Sequence, residues 1–307
     1  MDAIEVQGLT KTYGGVAVVD GISMSIGQGE VFSLLGPNGA GKTTTVEMLE
    51  GHRRPDGGTI SVLGFDPRRR ERAFRERISV VLQEAGFDDE FTVRELVRYF
   101  HAFYAHPLDV DEVIDLVGLD EKHSAKVKTL SGGQRRRLDL ALGLIGDPDV
   151  LFLDEPTVGF DPAARRQAWS VIEQLKARGT TILLTTHYLD EAEHLADRVA
   201  VIVAGRLVAV GPPAELAAGR TGATVSFRLP PATTVDELPG LGARPVADGA
   251  GWRLATEHPS AVVHALTGWA IDRGTELPAL EVRRPSLEDA YLDLVGEPPQ
   301  ANMGSAP

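Results

Sequence analysis

The stretch Gly36-Pro37-Asn38-Gly39-Ala40-Gly41-Lys42-Thr43-Thr44 carries the clearest chemistry in the 307-residue chain. It matches the pattern G-x-x-x-x-G-K-[ST] in full. Gly36, Gly39 and Gly41 let the backbone turn sharply and bring its N–H groups close to phosphate oxygens. Lys42 supplies a movable cation for β- and γ-phosphates, and the Thr43 hydroxyl is a ligand type suited to Mg²⁺. Asp154 and Glu155 form a second constellation, two adjacent carboxylates that end the apolar run Val150-Leu151-Phe152-Leu153. Asp154 at the strand end can hold Mg²⁺. Successive strand side chains alternate, so Glu155 points differently. It can polarise a water in line with a γ-phosphate, or it is an ordinary exposed acid; beside a phosphate loop the first reading is preferred. Together these residues imply binding and hydrolysis of a nucleoside triphosphate.

The elements needed to position these groups are present. Val31-Phe32-Ser33-Leu34-Leu35 reads as a buried strand and Lys42 to Leu49 as a helix, so the loop joins a strand to a helix N-terminus, whose dipole and free N–H groups favour anions. Residues Ile4 to Glu30 alternate apolar and polar positions and read as a small antiparallel sheet preceding the loop. Thr59 to Leu63 reads as a strand, Arg68 to Arg77 as a charged helix, and Ile78 to Gln83 as a buried strand. Thr92 to Val117 is helical in pattern, with Asp109 to Val117 a separate helix, and Gln134 to Ile145 is another. Then come a strand to Asp154, a helix from Pro162 to Arg178 and a buried strand from Thr181 to Thr185. Strands alternating with helices predict an α/β fold with a mostly parallel sheet covered on both faces.

Past Gly211-Pro212-Pro213 the character changes. Strands are expected at Thr224 to Leu229, Trp252 to Ala255 and Leu280 to Arg284, with helices at Ser260 to Ile271 and Ser286 to Leu294. The expected organisation is a nucleotide-binding domain at 1–221, a small α+β domain at 222–295 and a disordered tail at 296–307.

A third motif, Leu130-Ser131-Gly132-Gly133-Gln134 followed by a helix, offers small residues, backbone N–H groups and a helix N-terminus. It resembles the signature of the ATP-binding cassette (ABC) ATPases, and the other motifs fall in that family's order over roughly residues 3–218. The resemblance implies an ABC-type phosphate-loop NTPase fold: a mostly parallel sheet, an N-terminal antiparallel β-subdomain and an inserted helical subdomain at about 84–146. It also implies roles. Tyr13 stacks on adenine, and residues 36–44 bind the phosphates. Gln83 reaches Mg²⁺ and the attacking water, Thr43 and Asp154 ligate Mg²⁺, and His187 contacts the γ-phosphate. Asp161 sits in the D-loop, Gly159-Phe160-Asp161, where Phe160 replaces the usual leucine. In this family Ser131, Gly132, Gly133 and Gln134 serve the ATP bound by a partner subunit, so two ATP molecules are sandwiched in a dimer. Taken singly, Tyr13, Gln83 and His187 have ordinary structural readings as well; their joint order favours the functional ones.

Composition narrows the setting. Hydrophobic residues make up 43% and charged residues 24%, ordinary for a globular protein. No apolar run reaches the ~18–20 residues that span a bilayer, and the acidic start Met1-Asp2-Ala3-Ile4-Glu5 does not read as a signal peptide. The chain has no cysteine, which excludes disulfides and thiolate chemistry. A net charge of −13 argues against a nucleic-acid-coating role.

Pro285-Ser286-Leu287-Glu288-Asp289-Ala290-Tyr291-Leu292 resembles the ending of ATP-binding subunits of daunorubicin-resistance type exporters, which pair with separately encoded permeases. The implied function is an ATPase (ATP and water to ADP and phosphate) powering efflux of drug, antibiotic or lipid-like cargo. It would act as a homodimer on an integral-membrane permease, peripheral on the cytoplasmic side of the cell membrane. The alternatives are a soluble ABC ATPase unconnected with transport and a non-hydrolysing regulatory cassette. Phe87, Phe91, Tyr99, Phe100, Phe103 and Tyr104 lie between Gln83 and the signature; they suit either a permease-docking groove or the core of a small helical subdomain. Arg135-Arg136-Arg137 reads as a solvated face of the signature helix.

Overall fold

A computed structural model gives the fold and describes residues 1–81, 89–218, 222–231, 233–283 and 286–295. Gln83, Phe87 and the expected tail at 296–307 lie outside the described residues. The chain divides into two compact units, Met1–Pro213 and Ala214–Pro307. In order, the elements are β1 (Asp2–Tyr13), β2 (Val16–Gly27), β3 (Val31–Leu35), α1 (Lys42–Leu49), β4 (Gly57–Val62), α2 (Arg72–Arg75), β5 (Ile78–Val81), α3 (Val93–His101), α4 (Val110–Leu116) and α5 (Gly132–Leu144). There follow β6 (Val150–Asp154), α6 (Pro162–Ala177), β7 (Thr181–Thr186), α7 (Leu189–Leu195), β8 (Arg198–Val203), β9 (Arg206–Gly211) and α8 (Pro213–Ala218). The remainder comprises β10 (Ala223–Phe227), β11 (Val246–Asp248), β12 (Gly251–Thr256), α9 (Pro259–Asp272), β13 (Glu281–Arg283) and α10 (Leu287–Val295).

The first unit is built on a six-stranded sheet of order β5-β6-β7-β3-β8-β9, parallel throughout except for the β8–β9 hairpin at one edge. Its inner strands are apolar on both faces because both are covered. Phe32 and Leu34 of β3, Phe152 of β6 and Leu183 of β7 pack with Ile4, Val46 and Leu49 on one side. Leu151, Leu153, Ile182 and Leu184 point the other way, into a core shared with Leu138, Val171 and Leu175 of the helices. The one-residue alternation thus divides each strand between two cores.

The antiparallel sheet has the order β2-β1-β4, with Ile4 opposite Val62 and Val6 opposite Ile60. Its third strand therefore arrives after the phosphate loop and α1, whereas the sequence reading assembled the sheet from residues before the loop. The expected charged helix at 68–77 is also corrected. A single 3-10 turn at Pro67–Arg69, capped by Asp66, is followed by left-handed Arg70 (φ 50°) and then the one turn of α2, so the run is broken where φ turns positive. The β8–β9 hairpin turns at Ala204 and Gly205, both with positive φ, the conformation tight two-residue hairpins require.

Helices α3, α4 and α5 form the inserted helical layer. Thr92 and Glu95 make a reciprocal capping box at α3, and Asp109 accepts the first-turn N–H groups of α4. In the second unit, four antiparallel strands in the order β11-β12-β10-β13 pack with α9 around Val225, Phe227, Leu254, Leu266 and Trp269. Ser286 and Asp289 cap α10 reciprocally, as the Ser-Leu-Glu-Asp pattern suggests. No helix among the described residues is long and apolar enough to cross a membrane.

Candidate functional site

The parallel strands converge at their carboxyl ends, where β3, β6 and β7 lie side by side. β3 releases the chain into residues 36–41, and Lys42 opens α1. Two glycines are dictated by contact. A Cβ on Gly36 would come within 2.3 Å of the Ile202 carbonyl oxygen, and one on Gly41 (φ 102°) within 2.4 Å of the Val18 carbonyl oxygen. The Lys42 Nζ donates to the Gly36 carbonyl at 2.7 Å and the Pro37 carbonyl at 3.2 Å, inside the loop. Burial pushes its pKa down, and the charges of Glu155 and Asp154 oppose that shift. The loop lysine and the carboxylates at and just past the end of β6 thus share one electrostatic site. Thr43 is exposed and Thr44 half-buried on the first turn of α1.

Asp154 ends β6 and pairs in register with Thr185 of β7, whose hydroxyl donates to Asp154 Oδ1. Glu155 is the first residue past the strand and has φ 46°. Its N–H is shared between the carbonyl and hydroxyl oxygens of Thr185, each at 3.1 Å. His187 Nδ1 lies 3.1 Å from Glu155 Oε1, so the carboxylate and the imidazole meet across the strand ends.

Tyr13, at the end of β1, keeps 39% of its surface exposed. Its hydroxyl accepts from Arg53 Nη1 at 2.5 Å, and the Arg53 and Lys11 cations lie 5.4 and 5.5 Å from its ring. Arg53 in turn donates to Glu47 of α1. This anchoring is absent from the sequence reading, because the partners lie 40 residues apart.

Ser131 caps α5. Its Oγ accepts from the Gln134 N–H at 3.3 Å, while Gln134 Oε1 accepts from the Ser131 N–H at 3.0 Å. Ser131 and Gly132 are exposed. Among the described residues no hydrogen bond joins residues 131–134 to residues 36–44. Asp161 caps α6 by accepting from the Ala163 and Ala164 N–H groups at 2.8 and 2.9 Å, which hold its pKa below the usual carboxylate range.

The arginine run after the signature is a solvated face only in part. Arg135 pairs with Asp89, and Arg137 donates to the carbonyls of Val117 and Gly118. Arg136 turns inward and donates to the carbonyls of Asp154 and Pro156. Asp139, one turn on, is pushed up to about 6 by burial, opposed by Arg136 and Arg135. The inward turn had a readable signal: Arg136 aligns at helical spacing with buried Leu140 and Gly143. Glu191 on α7 is fully buried and accepts from Thr157 and Trp169, joining the chain after Glu155 to the helix after His187. Burial raises its pKa.

The aromatic segment divides between its two readings. Phe91, Phe100 and Tyr104 pack against the core. Tyr99 and Phe103 are 53% and 63% exposed and meet edge-on at 5.1 Å. Phe100 and Tyr104 also line a cavity of about 450 Å³ together with Phe74, Val81, Glu50 and Asp139.

For a magnesium ion the donor set fits in kind. Asp154 offers a carboxylate and Thr43 an exposed hydroxyl, both hard oxygen ligands. Among the described residues no group of three or more acidic or histidine side chains could hold a metal by itself.

Fold and site together define a phosphate-loop ATPase with a helical insertion. The ABC transporter family profile matches residues 19–158, and a profile for the C-terminal domain of ABC transporter domain-containing protein-like proteins matches residues 223–286. The Nod factor export ATP-binding protein I of Burkholderia lata is 42% identical over 95% of this chain and 97% of its own length. The daunorubicin/doxorubicin resistance ATP-binding protein DrrA of Streptomyces peucetius is 39% identical over 96% of this chain and 93% of its own. Among solved structures, an ATP-binding cassette of an ABC transporter in its ADP conformation superposes with a TM-score of 0.61 at 25% identity, covering 70% of this chain and 92% of its own. An ATP-binding subunit of an ABC transporter gives 0.63 at 25% identity, covering 70% and 91%. The chain belongs to the ABC transporter family, as an ATP-hydrolysing nucleotide-binding cassette.

Proposed function

We propose that this chain is the motor subunit of a membrane exporter, working as a homodimer on a separate integral-membrane permease at the cytoplasmic face of the cell membrane. The observation that carries the chemistry is the convergence of Lys42, Asp154, Glu155 and His187 at the carboxyl ends of β3, β6 and β7. The export role is supported by relatives named for Nod factor export and for daunorubicin resistance, which align along nearly the whole chain.

In this reading Tyr13 stacks on the adenine, held in place by Arg53. The N–H groups of residues 36–44 and the Lys42 ammonium, released from the Gly36 and Pro37 carbonyls, take the phosphates. Thr43, Asp154 and Gln83 would hold Mg²⁺, which would supply neutralisation of the phosphate charge. Glu155 accepts a proton from the attacking water, and His187 orients the Glu155 carboxylate and contacts the γ-phosphate. Ser131, Gly132, Gly133 and Gln134 approach the γ-phosphate of the partner's ATP, with Asp161 and the D-loop at the dimer interface. The aromatics exposed on α3 and after it, Tyr99 and Phe103, belong to the permease contact. The nucleotide-binding domain is assigned to 1–221, which runs past the compact unit Met1–Pro213, and residues 222–295 are assigned to an accessory domain followed by a tail.

The test is purification of the tagged full chain from detergent-solubilised membranes. A polytopic membrane protein should co-purify in fixed stoichiometry, and reconstituting the pair in vesicles should raise ATP turnover. The Lys42→Ala chain should keep the partner while losing turnover by about 100-fold or more. A chain that purifies without any membrane partner, or whose turnover is indifferent to it, refutes the transport role.

A further inference from the structure

Glu155 occupies a conformation that a glutamate does not adopt freely. At φ 46° it lies in the left-handed region, a conformation that is costly for a non-glycine residue and persists only when its surroundings determine it. Thr185 holds its N–H from the β7 side. The carbonyls on either side of Glu155, those of Asp154 and Pro156, are held by one side chain. Arg136 Nη2 donates to the Asp154 oxygen at 3.0 Å and Nε to the Pro156 oxygen at 3.3 Å.

The Arg136 side chain is 11% exposed, and its ion partner Asp139, at 3.8 Å, is buried to the same degree. A guanidinium taken out of water must be compensated by hydrogen bonds, and its planar fork can reach two acceptors at once where a lysine reaches one. The surrounding space is lined by Leu153, Pro156 and Phe160, so the D-loop phenylalanine lies beside the same group. Arg136 stands on α5, five residues after the helix cap Ser131.

We propose that Arg136 is the positioning residue of the catalytic turn. It clamps the carbonyls of Asp154 and Pro156, the residues flanking Glu155, keeps that carboxylate beside His187, and ties it to the helix that begins at the signature. A displacement of α5 at the signature is thereby transmitted to Glu155, which links the signature serving one ATP to the base acting on the other. The inference rests on the reading of Glu155 as the general base.

The test is steady-state ATP hydrolysis by the full chain carrying Arg136→Met, Arg136→Lys, Glu155→Gln and the double changes. Arg136→Met should lower kcat about 30-fold or more while KM for ATP stays within about threefold, because the phosphate loop is untouched. Arg136→Lys should fall between Arg136→Met and wild type. In the Glu155→Gln background, Arg136→Met should change the residual rate by less than about twofold, since the clamp has lost its object; a general loss of fold would lower both backgrounds alike. Wild-type kcat in Arg136→Met, or an equal loss in both backgrounds, overturns the proposal. Should Arg136→Met fail to fold, the cycle with Arg136→Lys reads the same coupling. Full activity in Glu155→Gln would remove the base reading itself, whereas an inactive Glu155→Gln beside a fully active Arg136→Met removes the clamp alone.

Discussion

His187 Nδ1 and Glu155 Oε1 stand 3.1 Å apart although the residues are 32 positions apart in sequence. The pairing arises because β6 and β7 are adjacent and in register, with Asp154 opposite Thr185, so both chains leave the sheet at the same level. Glu155→Gln keeps the shape and the hydrogen-bonding oxygen but loses the base. It should bind ATP, turn over about 10²–10⁴-fold more slowly, and accumulate as an ATP-bound dimer in size-exclusion chromatography. His187→Ala should also bind ATP and turn over slowly. A Glu155→Gln chain that stays monomeric with ATP, or hydrolyses at the wild-type rate, counts against the assignment.

Glu50, at the end of α1, gives a pH prediction for the nucleotide-free chain. Burial, then the charges of Asp154 and Glu47, push its carboxyl up to about 7. Unfolding returns it to the ordinary value of about 4.3. Between these limits the folded chain holds more protons than the unfolded one, so the Glu50 contribution to stability is full at low pH and is lost as pH rises through about 7. The loss is on the order of 3–4 kcal/mol. Glu50→Gln should therefore gain thermal stability relative to wild type at about pH 8 compared with about pH 5. A difference between the two melting temperatures that does not change across that range would show that Glu50 titrates normally.

The residues proposed to take phosphate stand out in the sequence because the chemistry demands particular types at particular spacings. A glycine whose added Cβ would come within 2.3 Å of a carbonyl oxygen, a lysine at the helix start and a carboxylate at a strand end leave few substitutes. The long apolar runs likewise marked the parallel strands, since burial on both faces erases alternation. What stayed hidden depends on partners distant in sequence. β4 joins β1 across the whole of the loop and α1. Helical spacing places Arg136 on the inward face, but the carbonyls and the apolar wall that receive it come from β6, the turn after it and α6. Arg70 gives no warning that it breaks a helical pattern, because nothing in its type favours a positive φ.

The second unit should be dispensable for ATP chemistry. The loop, Tyr13, Asp154, Glu155, Ser131 and His187 all lie in Met1–Pro213, which has its own cores. The Ala214–Pro307 unit has a separate core around Val225 and Trp269. A chain truncated near Gly219 should bind ATP with an affinity within about threefold of the full chain, a change of less than ~1 kcal/mol, when read by fluorescent-nucleotide titration. A truncated chain that folds by circular dichroism yet cannot bind ATP would move the domain boundary. Loss of permease association without loss of ATP binding would locate the role of the second unit at docking.

Each ATP site is completed either by its own subunit or by the partner. Ser131 and Gly132 are exposed at the α5 cap, and among the described residues no hydrogen bond joins them to the phosphate loop of the same chain. That favours a signature serving a partner's ATP. Consider a heterodimer with Lys42→Ala in one subunit and Ser131→Arg in the other. If sites form between subunits, one site collects both lesions and the second is intact, so one ATP is sandwiched. If each subunit completes its own site, both sites are damaged. The reverse pairing, one subunit carrying both changes and the other wild type, inverts the result: two damaged composite sites, or one intact internal site. Differently tagged subunits allow each heterodimer to be purified, and occluded nucleotide can be counted per dimer. Occlusion is the better readout, because coupling between the sites can suppress turnover even when one is intact. Occlusion in the first pairing and not in the second is the expected outcome; the opposite pattern would place the signature in its own subunit's site.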